Sequence, residues 1–311
     1  PVGSNGLSFA TSSNNQTVVF CIAPTNPWFQ TDFGDARFVN LTNPVPANNK
    51  ASSDNTFPGL FFSSDSNANF GSGVVSSKSW VVNNEYSYNA DTENRNGGMS
   101  YNFYKSKASQ DGVTITPIGD GTFDQADLNG TGVYEVRGPE VGGTGNLVIT
   151  DYDHPAGQRI VILVPGNVTI EDSSIDIPAG SGIFILAAKG NITIDSEIGT
   201  PDPINSATLN TTATHLDGYY TAQGDIVIES RGSTCADGTT SDRRLNIGGA
   251  LIANSLKPFS STGTHSIQNG RSLCLENLNY PSLYVSSRPD FLPQLTDFYK
   301  TTYSKWSEVN P

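Results

Sequence analysis

A pentapeptide that begins with Gly and a polar residue and ends with Ile recurs four times in the middle of the chain. It reads GNLVI, GNVTI, GNITI and GDIVI, and its copies begin 21, 24 and 34 residues apart, which is the spacing of proteins built from stacked repeats. Alternation within each copy directs the aliphatic side chains inward. The pattern predicts one inward stack of four isoleucines: Ile149, Ile170, Ile194 and Ile228.

Further short strands are predicted between the copies, in RIVILV from Arg159, SIDI from Ser174 and GIFILAA from Gly182. Three short strands in each period of about 22 residues are typical of stacked β repeats, in which each turn buries its apolar face against the next. We therefore predict an all-β fold, a right-handed parallel β-helix (solenoid). LNIGGALIAN from Leu245 continues it, and SLYVSS from Ser282 is its expected last strand.

One run in this region, IVILV at residues 160–164, is apolar at every position instead of alternating. A strand of this kind has both of its faces buried. A loop, the N-terminal region or a partner is therefore expected to cover the outer face of the sheet here.

Residue composition and patterning divide the chain into three parts. Residues 1–118 are predicted to be a β-rich N-terminal module, because strand-like runs such as MSYNFY from Met99 lie between long Asn, Ser and Asp segments. Residues 119–287 form the β-helix, and residues 288–311 are a short aromatic C-terminal cap or tail. This last part either covers the open end of the sheets or docks on a neighbouring subunit. Its candidate assembly residues are Phe291, Leu295, Phe298, Tyr299, Tyr303 and Trp306.

Charge excludes two classes of partner. The chain has 17 Lys and Arg against 30 Asp and Glu, a formal net charge of −13, so binding to nucleic acid or to an anionic membrane through a basic face is not expected. The longest apolar runs fall far short of the roughly 20 residues that a membrane-spanning helix needs. The chain begins at Pro1 without an apolar leader, which we interpret as a mature exported form.

Cysteine content favours an extracellular protein. Cys235 and Cys274 lie in Gly- and Ser-containing loop sequences and are the predicted disulfide, whereas Cys21 lies in the apolar run TVVFCIA and is expected to be a buried thiol. A disulfide closing a loop of this length stabilises a fold by roughly 4 kcal/mol in the chain-entropy model.

Catalytic groups are sparse. His154, His215 and His265 all lie beside polar or turn residues, where a solvated side chain is the ordinary outcome. Glycoside hydrolysis needs two carboxylates at one bond, and the candidate pair Asp225 and Glu229 is directed outward by the strand alternation. We therefore predict no catalytic residues and no cofactor.

Two binding sites are candidates. Asp120, Asp124 and Asp127 fall close together and supply oxygen ligands that suit a structural Ca²⁺, although acidic turns also simply keep a surface soluble. Trp28, Tyr219 and Tyr220 are the candidate contacts for surface glycans, although aromatic residues of β proteins are also common in the core.

Several segments together carry a family resemblance: PWFQTDFGDARF, SKSWVVNNEYSY with YNFYKSK, HPAGQRIVILVPGNVTI, HLDGYYTAQGDIVI, IGGALIAN, and the end RPDFLPQLTDFYKTTYSKWSEVNP. They resemble uncharacterised exported β-helix surface proteins of ultrasmall candidate-phylum bacteria. In that family PWFQT is followed by Gly-Gly-Asp-Val, whereas Asp32 to Ala36 follow it here, and the usual W-x-E-V-A-P end has Asn310 in place of Ala. The resemblance implies secretion, a β-helix and cell-surface placement, and it implies no catalytic residues.

Three functional hypotheses follow. The first is a non-enzymatic extracellular structural protein that self-assembles into a surface filament or layer. The second is a carbohydrate-binding surface adhesin, and the third is a polysaccharide-cleaving β-helix enzyme.

Overall fold

The computed structural model describes residues 8–10, 19–21, 27–32, 36–38, 60–63, 80–83, 99–171, 174–232, 235, 242–253 and 266–295. Six strands lie in the first part: β1 (Ser8–Ala10), β2 (Val19–Cys21), β3 (Phe29–Asp32), β4 (Ala36–Phe38), β5 (Leu60–Ser63) and β6 (Trp80–Asn83). Helix α1 (Tyr101–Gln110) comes next, and a short helix, α2 (Ser206–Leu209), lies later in the chain. The strands after α1 are β7 (Ile115–Ile118), β8 (Gly121–Thr122), β9 (Gly132–Val136), β10 (Leu147–Ile149), β11 (Arg159–Val164), β12 (Val168–Ile170), β13 (Ile183–Ala188), β14 (Ile192–Ile194), β15 (Leu216–Ala222), β16 (Ile226–Ile228), β17 (Leu245–Ile252), β18 (Ile267–Asn269) and β19 (Leu283–Ser286). Four 3-10 helices, Gln125–Asp127, Pro139–Val141, Cys274–Leu278 and Pro289–Gln294, complete the described elements.

Two parallel sheets form the centre of the protein. From β7 to β19 the chain alternates between them, so that the even-numbered strands β8 to β18 make a six-stranded sheet and the odd-numbered strands β7 to β19 belong to an eight-stranded one. The eighth strand is β3, which lies beside β19. Two further sheets, β1–β2 and β4–β5–β6, contain the remaining described strands.

The inward isoleucine stack is confirmed. Ile149, Ile170, Ile194 and Ile228 are aligned in register on neighbouring strands of the six-stranded sheet, and all four are completely buried. The middle residue of each of these strands is only partly buried, as the alternation predicted.

The predicted fold class is wrong. The described residues form two large parallel sheets, of eight and six strands, and no closed solenoid, and helix α1 packs on the larger sheet, which gives the chain α/β character in place of the all-β class. The strand predicted in SIDI does not form; in its place, Ile175 makes an isolated bridge to Leu216. The sheets also extend beyond the predicted β-helix, since β7, at the end of the predicted N-terminal module, pairs with β9. The C-terminal residues predicted to be an aromatic cap or tail begin with a 3-10 helix.

Helix α1 occupies a segment that the sequence analysis interpreted as strand-like. Its N-terminus is capped by Ser100, whose Oγ accepts a hydrogen bond from Phe103 N at 3.1 Å. Tyr101, Tyr104 and Ala108 follow at helical spacing and are buried in the core cluster.

The expected cover over the IVILV run is confirmed. Residues 160–164 are buried at every position in β11, and helix α1 lies against β11 and β13. The cover comes from the N-terminal region of the same chain.

A ladder of asparagine side chains joins successive copies of the pentapeptide. Asn167 N donates to Asn146 Oδ1 at 2.8 Å, and Asn191 N donates to Asn167 Oδ1 at 2.9 Å. The ladder continues from Asp225 N to Asn191 Oδ1 at 2.9 Å. The three later glycines lie against these side chains, because a Cβ at Gly166, Gly190 or Gly224 would overlap the Oδ1 of the preceding Asn. This contact explains why Gly precedes the polar residue in the three later copies.

The long spacing before the last pentapeptide copy reflects an insert over strand β17. Asn246 is buried, and its Nδ2 donates to Thr211 O at 3.1 Å and to Ala213 O at 2.9 Å. Arg244, also buried, donates to Leu209 O. The insert is therefore held by Asn246 of β17 and by Arg244, which immediately precedes that strand.

Within the residues that the structure describes, none of the helices combines the length and the apolar character that crossing a membrane requires.

Candidate functional site

The best-defined cluster of charged side chains fixes residues 288–295, which we call the anchor segment, to the sheet. Arg288 lies at its centre: Nη1 donates to Asp217 Oδ2 at 2.8 Å, and Nη2 donates to Ile177 O at 2.8 Å. The same guanidinium binds both carboxylate oxygens of Asp290, through Nε and Nη2, at 2.8 Å each. Charge-assisted bonds of this geometry are the strong ones.

Asp217 is the buried partner. It lies in β15 with 1% of its surface exposed, and its Oδ2 also accepts a hydrogen bond from Ile177 N at 3.0 Å. Its Oδ1 is buried without a hydrogen-bond partner among the described residues and lies against Gly248 of the neighbouring strand, where a Cβ would overlap it. Gly248 thus leaves the space that this carboxylate occupies.

Aromatic packing completes the anchor. The Phe291 side chain is completely buried, its ring meets that of half-buried Tyr219 edge to face at 5.7 Å, and the Arg288 guanidinium lies 4.4 Å from its centroid. Next to it, Leu292 is 60% exposed. The anchor segment therefore has an apolar side chain fixed in the protein and another directed into solvent.

The loop around Gly180 holds the far end of the anchor segment. Gly180 N donates to Asp290 Oδ2 at 2.9 Å, and Gln294 Nε2 donates to Gly180 O at 3.1 Å. The hydrogen bonds from Arg288 lower the pKa of Asp290 to about 2 and raise the pKa of Arg288 itself. Both groups are therefore charged at neutral pH. Their ion pair holds the anchor segment against the sheet.

Two of the six candidate assembly residues lie within the anchor segment, and four follow it in the chain. Phe291 and the half-buried Leu295 pack on their own chain. The others lie outside the described residues: Phe298, Tyr299, Tyr303 and Trp306.

Two of the three candidate glycan contacts are in the interior. Trp28 is 3% exposed and donates from Nε1 to Asn277 O at 2.8 Å, and Tyr220 is completely buried with its hydroxyl donating to Asp217 O at 2.9 Å. These positions correct the glycan-contact prediction for both residues, because each ring fills the core and each polar atom has a partner inside it. Tyr219 retains some exposed surface beside Phe291.

The three candidate calcium ligands are engaged in separate local hydrogen bonds. Asp120 Oδ2 accepts from Thr144 N and Oγ1 at 2.6 and 2.8 Å, Asp124 Oδ1 caps Ala126 N at 2.9 Å, and Asp127 Oδ2 accepts from Gly119 N at 3.2 Å. In the described part of the chain, no three His, Cys, Asp or Glu side chains come together in a group that could hold a metal ion.

The candidate carboxylates of an enzyme have structural partners or remain exposed. Asp225 Oδ1 accepts a hydrogen bond from Ser266 N at 2.7 Å and so continues the asparagine ladder, while Glu229 is exposed. A further ion-pair group is on the surface, where Glu197 and Asp202 pair with Arg231 and Arg243.

A disulfide links Cys235 and Cys274, whose Cα atoms are 5.3 Å apart. Asp242, 1% exposed, holds the same region together: it accepts from Arg231 N at 2.6 Å and from Ser272 N at 2.7 Å. The side chain of Cys21 lies outside the described residues.

Arg271 is a buried residue that the sequence analysis did not single out. Its side chain is completely buried and donates four hydrogen bonds to backbone carbonyls: Asp195 O, Ile198 O, Glu229 O and Arg243 O. Nothing in an isolated Arg between Gly270 and Ser272 signals this role, because its acceptors lie 28 to 76 positions away in the chain.

Two of the three histidines are packed into the protein, which corrects the expectation that they are solvated. His154 is 9% exposed; its Nε2 donates to Gln158 O at 3.1 Å, and its Nδ1 accepts from the Tyr152 hydroxyl at 2.8 Å. His215 Nδ1 accepts from Asn246 N at 3.0 Å. His265 lies outside the described residues.

His215 makes stability depend on pH. Burial, and next the charges of Arg271 and Arg244, lower its pKa from 6.5 to about 4, so the folded state favours the neutral ring. As pH falls from about 6.5 to about 4, the unfolded chain binds this proton first and stability is lost; for a partly buried group the loss is about 2 kcal/mol. Burial lowers the pKa of His154 as well and adds a loss of the same sign.

The substitution His215→Gln is expected to flatten this dependence, because an amide can accept the bond from Asn246 N and does not titrate. The measurement is the free energy of urea unfolding at pH 7, 6, 5 and 4. Asp290 does not interfere, since its contribution is lost only as pH falls from 3.8 toward about 2. Parallel profiles for the two proteins would contradict the assignment.

Comparisons with protein-family models, with curated proteins and with solved structures each found no match.

Proposed function

We propose that this protein is a non-enzymatic extracellular structural protein that associates with copies of itself into a surface filament or layer. The observation that carries the proposal is the anchor segment. Arg288, Asp217 and Asp290 fix the anchor segment to the eight-stranded sheet. Within the segment, Phe291 is buried and Leu292 is exposed. The sixteen residues that follow, 296–311, include four aromatic side chains and start from this fixed point.

Three further features support the proposal. The buried ionisable groups, Asp242, Arg271 and His154 among them, bind backbone atoms or core side chains that hold the fold together. The Cys235–Cys274 disulfide suits an oxidising compartment. The resemblance to exported surface proteins implies the same placement.

Charge determines how association responds to salt. Copies with a net charge of −13 repel one another at low ionic strength, and salt screens that repulsion while leaving apolar contacts intact. Association through aromatic side chains is therefore expected to strengthen as salt rises.

The test compares the full chain with a chain of the same length in which Phe298, Tyr299, Tyr303 and Trp306 are replaced by Ser. Light scattering across a range of concentrations and electron microscopy are expected to show particles for the full chain, more at 0.5 M than at 0.05 M salt, and single chains for the variant. The anchor segment is unchanged in both, so unfolding curves provide the control for folding. If the full chain stays monomeric at every concentration and salt level, the proposed function is wrong.

A further inference from the structure

Strand β3 is bound by a compact set of residues near the other end of the chain. It pairs in parallel with β19, Phe29 to Asp32 beside Leu283 to Ser286. Trp28 O accepts from Ser282 N at 2.9 Å and from Ser282 Oγ at 3.2 Å. Asp32 Oδ2 accepts from the Tyr284 hydroxyl at 2.7 Å. With Asn277 bound to the Trp28 indole, every one of these partners lies between residues 277 and 287.

The contact has the form of a segment and its receptor. The segment, residues 28–32, inserts the Trp28 side chain, which is 3% exposed and whose indole N–H has a specific acceptor. The receptor, residues 277–287, provides a strand edge and hydrogen-bonding groups around it. Adding a strand to a sheet edge in this way is a common mode of recognition between chains.

The connection between segment and receptor does not limit the segment to its own chain. Residues 33–98, 66 positions, separate β3 from the next continuous part of the described structure. The 15 positions 84–98, between β6 and that part, span at most roughly 50 Å at about 3.3 Å per residue, comparable with the width of a domain. The described strands within residues 33–98, β4 to β6, pair with one another.

Order of synthesis gives the exchange its opportunity. Segment and receptor are about 250 positions apart, so a growing chain carries the segment for roughly 10 to 50 s before its receptor is made. In a finished neighbour the same receptor is occupied by that chain's own β3, so exchange takes place while both chains fold. Once the chain is complete, its own segment has an effective concentration in the millimolar range, so only dense populations favour exchange.

We propose that residues 28–32 of one copy bind residues 277–287 of a second copy, so that chains associate head to tail by exchange of β3. This proposal rests on the proposed self-association: contacts of the aromatic residues 298–306 bring copies together, and exchange of β3 then links them. The two surfaces differ, so each copy has one of each to offer, and repetition without closure gives a filament.

The test is a disulfide that reports which chain supplies β3. Thr31 and Val285 lie side by side in the register, and neighbouring strands are close enough for a disulfide. The variant Thr31→Cys with Val285→Cys, in a Cys21→Ser background, is refolded at about 1 µM and at about 1 mM, oxidised, and run on a denaturing gel without reductant. We expect monomers at the low concentration and a ladder of linked chains at the high one. A mixture of ¹⁵N-labelled and unlabelled protein identifies links between chains by mass spectrometry.

A matched control separates exchange from non-specific oxidation. Thr169→Cys with Thr193→Cys joins β12 to β14, which are also paired in register but only 24 positions apart, and this link is expected to stay within one chain at both concentrations. If the Thr31 and Val285 variant does not fold, the next pair in the register, Asp32→Cys with Ser286→Cys, replaces it. Particles that contain only links within single chains would overturn the exchange and leave self-association standing. Absence of particles together with purely internal links would overturn both.

Discussion

Replacing Arg288 by Ala is expected to lower the free energy of unfolding by about 3 to 5 kcal/mol. The substitution removes the cation from Asp217, which is 1% exposed and whose side chain, among the described residues, keeps the hydrogen bond from Ile177 N. A buried carboxylate that loses its partner charge retains the cost of leaving water without the compensating attraction. The same change removes both hydrogen bonds from Arg288 to Asp290 and exposes one face of the Phe291 ring.

Urea unfolding followed by circular dichroism measures this loss. Lys107→Ala is the matched control, because it removes a partly exposed pair with Asp111 at 2.9 Å at the C-terminal end of helix α1 and is expected to cost about 0.5 kcal/mol or less. The double variant Arg288→Met with Asp217→Asn removes both charges, keeps an acceptor for Ile177 N, and should recover more than half of the lost stability. A cost below about 1 kcal/mol for Arg288→Ala would show that Asp217 does not depend on this partner.

The second large effect is expected for Gly190→Ala, at about 3 kcal/mol of lost stability. Replacing Gly by Ala usually stabilises a protein by reducing the freedom of the unfolded chain. A loss of stability on Gly190→Ala would therefore point to a contact in the folded state. Here the added methyl group meets Asn167 Oδ1 and approaches Gly166 O to 2.8 Å. The Asn167 side chain has to move, which costs its bond to Asn191 N in addition to the overpacking.

Two comparisons identify the cause. Gly119→Ala introduces the same methyl group where the nearest atom, Asp127 Oδ2, is at an ordinary distance of 3.5 Å, and is expected to change stability by about 0.5 kcal/mol or less. In an Asn167→Ala background the penalty of Gly190→Ala should shrink, because the clashing oxygen is gone, and the double-mutant cycle measures that coupling. An unchanged penalty in that background would attribute the effect to Gly166 O alone.

The sequence predicted the parts of the fold that depend on local periodicity. Alternation within five residues was enough to direct Ile170 and Ile194 inward, and an unbroken apolar run was enough to predict a covered face at residues 160–164. The class of the fold was missed for a reason that is also local. The aromatic residues Tyr101 and Tyr104 suit a strand by propensity, whereas Ser100 as an N-cap and their helical spacing place them in helix α1.

The candidate site was largely beyond the reach of the sequence. Arg288 and Asp217 are 71 positions apart, and a charge pair at that separation leaves no periodic signal. The same holds for Trp28, which was assigned to the surface or the core on composition alone because its acceptor on Asn277 is 249 positions away. Phe291 was recognised as apolar, but its contacts with Tyr219 and Arg288 are visible only in the folded chain.

The asparagine ladder also makes the length of this protein adjustable. Each Asn side chain of the ladder accepts a hydrogen bond from the backbone N–H of the next copy. The period from Gly166 to Lys189 therefore receives one such acceptor from the copy before it and offers one to the copy after it. A tandem duplication of those 24 residues would add one strand to each sheet, lengthening the protein by about 4.8 Å while both ends keep their present contacts. The length of the protein could therefore change by whole periods, through duplication within the gene, without any change in the sequence of its two ends.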